Sequence, residues 1–386
     1  MSIIEKTLSA FGYEKRSNGV DGWPTVAALS SVTPTSAESL SAVQACVSAI
    51  SETIGSLPLP LYRNTESGRE KARDHALFRV LNDQPNERQS ALEFREQMQA
   101  AVLLRGNAYA RIVRGSDGQV RQLLPIHPDR VRVLDLDNGR LGYEISSANG
   151  TERLLQEDVF HLRHRSDDGV VGVSPIARSA ATVELALAER DHGVTTFQNG
   201  SKLLGVLKFP GKLNAEQKAA LKTTWSNYKA GGTPILEGGM DFSTVSMTLE
   251  DAEWIEARKL SVIEICRLFR VPPVIVQSME SANYSNSVEL ARQFVTMTLQ
   301  RHLQMWEQAI SRQLLTEAGR RIYVAKHSVE GLLRGDSTTR SAFYHNALTD
   351  GWMTIDEVRS LEEMPKLPAR KFAPPQPPKG VANGQA

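Results

Sequence analysis

The chain has 386 residues, with 45 basic against 44 acidic side chains and a net charge of +1. That length buries a large core and predicts several subdomains, while the neutrality excludes the strongly basic surface that grips nucleic acid tightly and with steep salt dependence. Cys46 and Cys266 offer neither a disulfide framework nor metal-ligand spacing, and no run approaches ~18 apolar residues.

Residues 1–37 mix Ser, Thr, Gly and Pro with little periodicity and read as an arm that is weakly ordered alone. A helix is predicted from Ala37 to Gly55, with Leu40, Val43, Val47, Ile50 and Ile54 on one face and Gly55 as its stop. Pro58 and Pro60 flank a short strand at 61–63, and 64–73 reads as a charged turn. A short helix at 76–81 precedes a loop at 83–86. Ser90 with Glu93 is a capping box that opens a third helix carrying Phe94, Met98, Val102 and Leu103. Gly106-Asn107 then turns into an alternating strand at 108–114. Further strands are predicted at 122–126, 130–134, 142–146 and 159–163, with Asn138-Gly139 as a hairpin turn. This is an α+β unit.

Gly172-Val173-Ser174-Pro175 marks the next boundary. Ser174 is the expected N-cap and Pro175 the first helical residue of a helix running to Asn199, with Ile176, Ala180, Val183, Leu187, Val194 and Phe197 on one face. A compact insert follows: a strand at 204–209, a helix at 214–229 opened by Asn214 and Gln217, and two strands in 233–247 around Gly238-Gly239. The next helix opens at Thr248 and buries Ala252, Ile255, Val262, Ile263, Cys266 and Phe269. Its first half carries Glu250, Asp251, Glu253 and Glu256 and its last turn Arg267 and Arg270, the order that suits the helix dipole. Val271-Pro272-Pro273 stops it.

A small polar loop runs from Gln277 to Ser285. From Asn286 a long helix carries Phe294, Met297, Leu303, Trp306, Ile310 and Leu314 and ends before Gly319; about 32 residues make a rod of roughly 48 Å. A strand at 322–325, helices at 329–333 and 337–349, a turn at Gly351 and a helix opened by Thr354 and Glu357 complete the ordered chain. The proline-rich tail beyond Met364 reads as disordered or polyproline-like.

Catalytic signatures are lacking. Ser174 is no nucleophile elbow, because that turn needs glycine two residues on, where Ile176 stands. His161, His164, Asp167 and Asp168 have metal-ligand chemistry, but residues i and i+3 of a strand point to opposite faces, so they read as a polar strand end. The sequence holds no phosphate-binding Gly-x-x-x-x-Gly-Lys loop, no His-Glu-x-x-His and no Cys-x-x-Cys, and the Gly-Gly pairs read as hairpin turns. The acidic run at 250–256 reads as a solvated helix face; a channel-facing surface would have the same composition. Both cysteines read as small core hydrophobes. The N-terminus lacks a positive-then-apolar signal pattern, so the expectation is a protein made in the cytoplasm and spanning no membrane. Neither enzyme activity nor a cofactor is predicted.

The run Leu249-Glu250-Asp251-Ala252-Glu253-Trp254-Ile255-Glu256-Ala257-Arg258-Lys259, with Glu264-Ile265-Cys266-Arg267-Leu268-Phe269-Arg270-Val271-Pro272-Pro273 and Tyr284-Ser285-Asn286, resembles the portal (head-to-tail connector) family of tailed double-stranded DNA phages, in its long non-contractile-tail branch. Gly106-Asn107-Ala108-Tyr109, Gly172-Val173-Ser174-Pro175, Phe197-Gln198-Asn199-Gly200, Leu332-Leu333-Arg334-Gly335-Asp336 and Gly351-Trp352-Met353-Thr354 fall in the family's order, over nearly all of 38–364. Asp356 stands where the family commonly has Asn; both cap helices.

The resemblance implies a portal-type α+β subunit. Its expected parts are an α/β wing (38–172), two stem helices (173–200 and 248–270), a small α/β clip (201–247), a tunnel loop (271–285), a long wing helix with its return (286–328) and a helical crown (329–364). It further implies a ring, usually of twelve subunits, at one capsid vertex of the virion, with genomic DNA passing through the central channel. A separate terminase ATPase would drive the DNA, with capsid or scaffold protein and a head-completion adaptor as the other partners. On that mapping the DNA-channel residues are Gln277, Ser278, Glu280, Ser281, Asn283 and Tyr284. Glu250, Glu253 and Glu256 would face the lumen from the stem. Lys218, Lys222, Trp225, Tyr228 and Lys229 of the clip would dock terminase or adaptor. Two other classes stand beside it: an assembly adaptor without a channel, and a metal-dependent nucleic-acid enzyme, which would need a carboxylate cluster that the spacing does not supply.

Overall fold

The computed structural model describes residues 32–365, apart from 67, 138, 149, 199–205, 209–210, 212–213, 227–239, 244–248, 277–286, 330–336 and 363. The chain divides into two compact units, one ending at Ser328 and the other starting at Val329.

Order in the first unit begins inside the stretch read as an arm. Helix α1 (Pro34–Glu38) is closed by a Thr33–Ser36 capping box and buries Ala37. Helix α2 (Ser41–Ser56) buries Val43, Cys46, Val47, Ile50 and Ile54, the face that the periodicity predicted. Gly55 does not stop it. Gly55 lies in its last turn, where a Cβ would stand 3.2 Å from the Leu92 carbonyl oxygen and 3.3 Å from Glu96 Cβ, so the glycine permits the close approach of α4 (Ala91–Arg105). The Ser90–Glu93 box at the start of α4 is fully formed. From α4, buried Arg95 donates to the carbonyls of Gly55 and Leu81, each at 2.6 Å. These carbonyls end α2 and α3 (Ala76–Asn82), so one guanidinium satisfies two helix C-termini and opposes both dipoles. Burial pushes its pKa down to about 10.

Three antiparallel sheets surround these helices. Strand β1 (Leu61–Thr65) pairs with β2 (Gly68–Lys71) and with β11 (Tyr323–Ala325), which returns from the far end of the unit. Strand β2 lies in the segment read as a charged turn; it is exposed along its whole length, so its sequence shows no alternation. In the second sheet β3 (Asn107–Arg114) is flanked by β4 (Val120–Ile126) and β8 (Val159–Arg163). The third is a meander of β5 (Val131–Asp135), β6 (Leu141–Ser147) and β7 (Gly150–Leu155), turned at Gly139 with φ +72°. Strand β7 is a second mostly exposed strand that the sequence pattern did not show. Tyr109, Val133, Tyr143 and Val159 form one cluster joining the last two sheets.

The end of α4, the sheet and the following helices meet at a crossing of two glycines. Gly106 takes φ +81°, and a Cβ on it would fall 2.4 Å from the Gly172 carbonyl oxygen; a Cβ on Gly172 would fall 2.3 Å from that of Gly106. The Asn107 side chain bridges the crossing: its Nδ2 donates to the Gly172 carbonyl and its Oδ1 accepts the Gly172 N–H, both at 2.8 Å. Just beyond, Ser174 caps α5 (Pro175–Arg178) with Pro175 at its first position, as predicted. The single helix expected to run on to Asn199 is broken at Ser179 (φ −123°, ψ 40°), where the backbone leaves the helical region before α6 (Ala180–Gln198).

The insert contains β9 (Val206–Lys208) paired with β10 (Asp241–Ser243). Its helix α7 (Ala215–Ser226) is capped reciprocally by Asn214 and Gln217. The remainder of the two strands read in 233–247 lies outside the described residues. Helix α8 (Leu249–Phe269) buries Ile265, absent from the predicted stripe, beside Cys266 and Phe269.

The long rod is α9 (Ser287–Gln293), a π-helical segment Phe294–Leu299, and α10 (Gln300–Leu314). It ends at Leu314, short of the expected end at 318, because Thr316 caps a separate helix α11 (Glu317–Ile322) that contains Gly319. The π segment rotates the apolar stripe, so Thr298 and Leu299 join Phe294 in the core and Met297 turns outward.

The second unit holds α12 (Ser337–Thr349) and α13 (Ile355–Leu361), turned at Gly351 with φ +74°. Thr354 and Glu357 form the predicted capping box. Tyr344 donates to Glu362 at 2.6 Å, and the Phe343 and Trp352 rings meet at 5.4 Å. The helix read at 329–333 falls largely outside the described residues.

Asn107→Ala leaves the buried N–H and carbonyl of Gly172 unpaired, which costs roughly 1–3 kcal/mol per group. Its thermal midpoint is expected to fall by several degrees in calorimetry, with the first unit losing cooperativity.

Candidate functional site

Helices α6 and α8 run antiparallel, since Glu189 faces Ser261 while Gly193 faces Trp254. Ser261 donates to the Glu189 carboxylate at 2.6 Å, and the Trp254 indole N–H donates to the Glu189 carbonyl at 3.3 Å. A Cβ on Gly193 would lie 2.6 Å from the Trp254 ring, so this mid-helix glycine makes room for the indole. The only sequence signal for it was a glycine where alanine would serve a helix better. The Arg258 guanidinium lies over the same ring, 5.3 Å from its centroid. Cys46 and Cys266 meet where α2 packs on α8; both are buried, and mutual contact with burial pushes the Cys46 thiol far above its ordinary range.

The exit of α8 is fixed more firmly than the prolines alone require. Arg270 takes a left-handed conformation (φ 57°). The Val271 N–H closes back on the Cys266 carbonyl at 2.9 Å, and Val271 is buried. The Thr298 hydroxyl of the π segment donates to the Arg270 carbonyl. Pro272–Val276 then makes a turn closed by the Ile275 N–H on the Pro272 carbonyl. Arg270 therefore ends the helix from outside rather than lying in its last turn.

The predicted channel residues Gln277, Ser278, Glu280, Ser281, Asn283 and Tyr284 lie outside the described residues, between this exit and the start of α9 at Ser287. Glu250, Glu253 and Glu256 all lie on α8; Glu256 is exposed, and the other two side chains are outside the description. Lys218 is exposed on α7. Lys222 and Trp225 share that helix with their side chains outside the description, and Tyr228 and Lys229 are outside it entirely. The structure thus gathers none of these three predicted sets into a described constellation.

It does gather buried histidines under the rod. His161 lies between Tyr109 and Tyr143. Asn107 Oδ1 already accepts from Gly172, so it also accepts from His161 Nε2–H at 3.0 Å, leaving Nδ1 to accept the Tyr143 hydroxyl at 3.1 Å. Gln313 of α10 pairs with both backbone groups of His161, at 2.6 and 2.9 Å. His302 accepts from Gln99 at 3.1 Å, and Gln99 accepts the Trp306 indole N–H at 3.0 Å. The His164 ring lies 6.0 Å from that of His302 and donates from Nδ1 to the Val173 carbonyl. Burial, reinforced by nearby arginines, pushes His164 down to about 4, His302 down to about 3 and His161 well below the ordinary histidine range. Asp167 pairs with Arg178, and Asp168 accepts the N–H groups of Val170 and Val171, so the histidines and aspartates of this stretch have separate partners. Among the described residues no three His, Cys, Asp or Glu side chains converge as a metal site, and no helix is long and apolar enough to cross a membrane.

With this geometry in view, residues 41–363 match the model of the family described as phage portal protein. The chain belongs to the phage portal protein family. It is 34% identical to the portal protein of Enterobacteria phage HK97, over 86% of this chain and 81% of that one. It is 30% identical to the probable portal protein of Streptomyces phage phiC31, over 87% and 77%. Among solved structures, a chain of the virion of a native gene transfer agent particle superposes with a TM-score of 0.66 at 21% identity, covering 95% of this chain and all of that one. An HK97-family phage portal protein from Corynebacterium diphtheriae superposes at 0.54 with 15% identity, over 79% and 97%. These two likenesses concern the fold.

Two predictions follow from the helix pair and the histidines. Gly193→Ala places a methyl group in the Trp254 ring; overpacking of about 1–3 kcal/mol exceeds the roughly 1 kcal/mol of helix propensity gained, so the denaturation midpoint falls. The histidines are neutral when folded and take up protons when unfolded. Stability is therefore fully present above about pH 6.5 and declines as pH falls towards 4, by about 1.4 kcal/mol per pH unit for each such histidine. Urea titrations at pH 7.5, 6 and 5 are expected to show this decline, and His302→Gln, which keeps a polar partner for Gln99, to reduce its slope.

Proposed function

We propose that this chain is the subunit of a structural ring at one capsid vertex of a tailed phage, through which double-stranded DNA is packaged and ejected. The observation that carries the reading is the family match over 41–363. It is supported by the superposition, at TM-score 0.64, on a chain from the neck of a native gene transfer agent particle computed with C12 symmetry. A ring of about twelve copies follows by analogy, placed in the virion.

On this reading the wing is 38–172, α5–α6 and α8 are the stem, and 201–247 is the clip that docks a terminase and later a head-completion adaptor. Residues 271–285 form the tunnel loop, the rod is the wing helix and 329–364 the crown. Leu185, Leu260 and Met297, exposed by 55%, 52% and 69%, suit surfaces that a second copy covers. The role is conduction and assembly rather than catalysis: the energy for moving DNA comes from another chain. A near-neutral subunit suits a sliding duplex, because many simultaneous phosphate contacts would hold it still.

Gln277→Ala, Glu280→Ala and Asn283→Ala are expected to lower packaged or retained DNA in particles severalfold while leaving ring formation intact, measured by nuclease-protected DNA per particle. Normal packaging by all three variants would contradict the tunnel-loop assignment.

A further inference from the structure

At the foot of α8 the fold brings three arginines together with no acidic partner among the described residues. Arg270 is fixed through its carbonyl by Thr298, and Arg301 follows Thr298 by about one turn of the rod. His302, next to Arg301, meets His164 at 6.0 Å, and Arg165 follows His164, its carbonyl accepting the Val173 N–H at 3.0 Å. Among the described residues, Arg165, Arg270 and Arg301 have no ion-pair partner. Asp167, two residues from Arg165, is taken by Arg178 at 2.7 Å. Arg301 is held below the ordinary arginine range by its own partial burial and by the like charges of Arg270 and Arg165. Three guanidinium groups that repel each other destabilise the isolated subunit unless an anion relieves them.

We propose that this arginine cluster is an assembly site that receives carboxylates of a second copy of this chain. The proposal rests on the ring reading and names one of its contacts. Charge balance favours this occupant. With 45 basic and 44 acidic residues, a local excess of positive charge is matched by an acidic excess elsewhere on the same chain, so a second copy always brings one. Exposed Glu38, Glu52 and Glu256 have no ion-pair partner among the described residues. Arginine is suited to the task, since its planar fork pairs two-pronged with a carboxylate. Phosphates of the duplex are the less suitable occupant, because fixed arginine–phosphate contacts repeated around a channel would resist sliding.

The test compares the full-length wild-type chain with the Arg165→Ala, Arg270→Ala, Arg301→Ala triple variant by sedimentation velocity across a salt series, with melting of the unassembled subunit measured in parallel. The expected result is at least a tenfold loss of ring fraction at low salt, narrowing as salt rises, while the subunit melts at the same temperature or higher because mutual repulsion is gone. Rings formed by the variant as readily as by wild type would overturn the proposal, and rings formed normally but with reduced duplex binding would assign the cluster to phosphate instead. If the triple variant fails to fold, Arg165→Ala, on an exposed side chain, is compared in the same way. Wild-type chains that form no ring at any salt would instead defeat the ring reading, and this proposal with it.

Discussion

The structure depends first on the crossing of Gly106 and Gly172. Two carbonyls approach positions where any Cβ would collide with backbone at 2.3–2.4 Å. The Asn107 side chain bonds both backbone groups of Gly172 and also receives the buried His161 ring. One short stretch therefore fixes the end of α4, the start of the central strand β3, its neighbour β8 and the entry to α5. The chain enters α5 and α6 from this point. His161 extends the constraint to the rod, since Gln313 of α10 pairs with its backbone. The sheet of β3, β4 and β8, the entry to α5 and the rod are consequently one hydrogen-bonded body.

The boundaries of elements were legible wherever the signal is local. Ser90 with Glu93, Asn214 with Gln217 and Thr354 with Glu357 all form the reciprocal bonds that their spacing predicts, because a cap involves only neighbouring residues. The same holds for Ser174-Pro175 and for the turns at Gly106, Gly139 and Gly351. The two glycines of the crossing were each visible as motifs, but their meeting was not, since it depends on contact between residues far apart in the chain. Strands β2 and β7 escaped notice because alternation requires a buried face, and β2 has none. The π segment and the left-handed Arg270 were invisible for a related reason: both are stabilised by the Thr298–Arg270 bond across elements. That shift also explains why Met297, in phase with the stripe on paper, points outward.

The candidate site was legible as composition and family order more than as geometry. The Pro-Pro exit and polar loop marked the region, and the structure adds how rigidly the exit is held: a left-handed residue, a backbone closure and a hydroxyl from the π segment all act on Arg270 and Val271. A stiff exit transmits the position of α8 to whatever follows it. Arg165 and Arg301, by contrast, lay in unremarkable polar positions, and their nearness shows only in the fold, where the neighbouring His164 and His302 rings approach to 6.0 Å.

Electrostatics connects these observations to the role. A subunit almost neutral overall, with an acidic start and a basic exit on α8, can attract its own copies without gripping a polyanion along its length. The measurement that tests the central claim most directly is native mass spectrometry of the purified full-length chain, with negative-stain electron microscopy of the same sample. The account predicts closed rings with a central hole and a mass near twelve times 42.6 kDa. A chain that stays monomeric or dimeric, even with capsid or scaffold protein added, would contradict it.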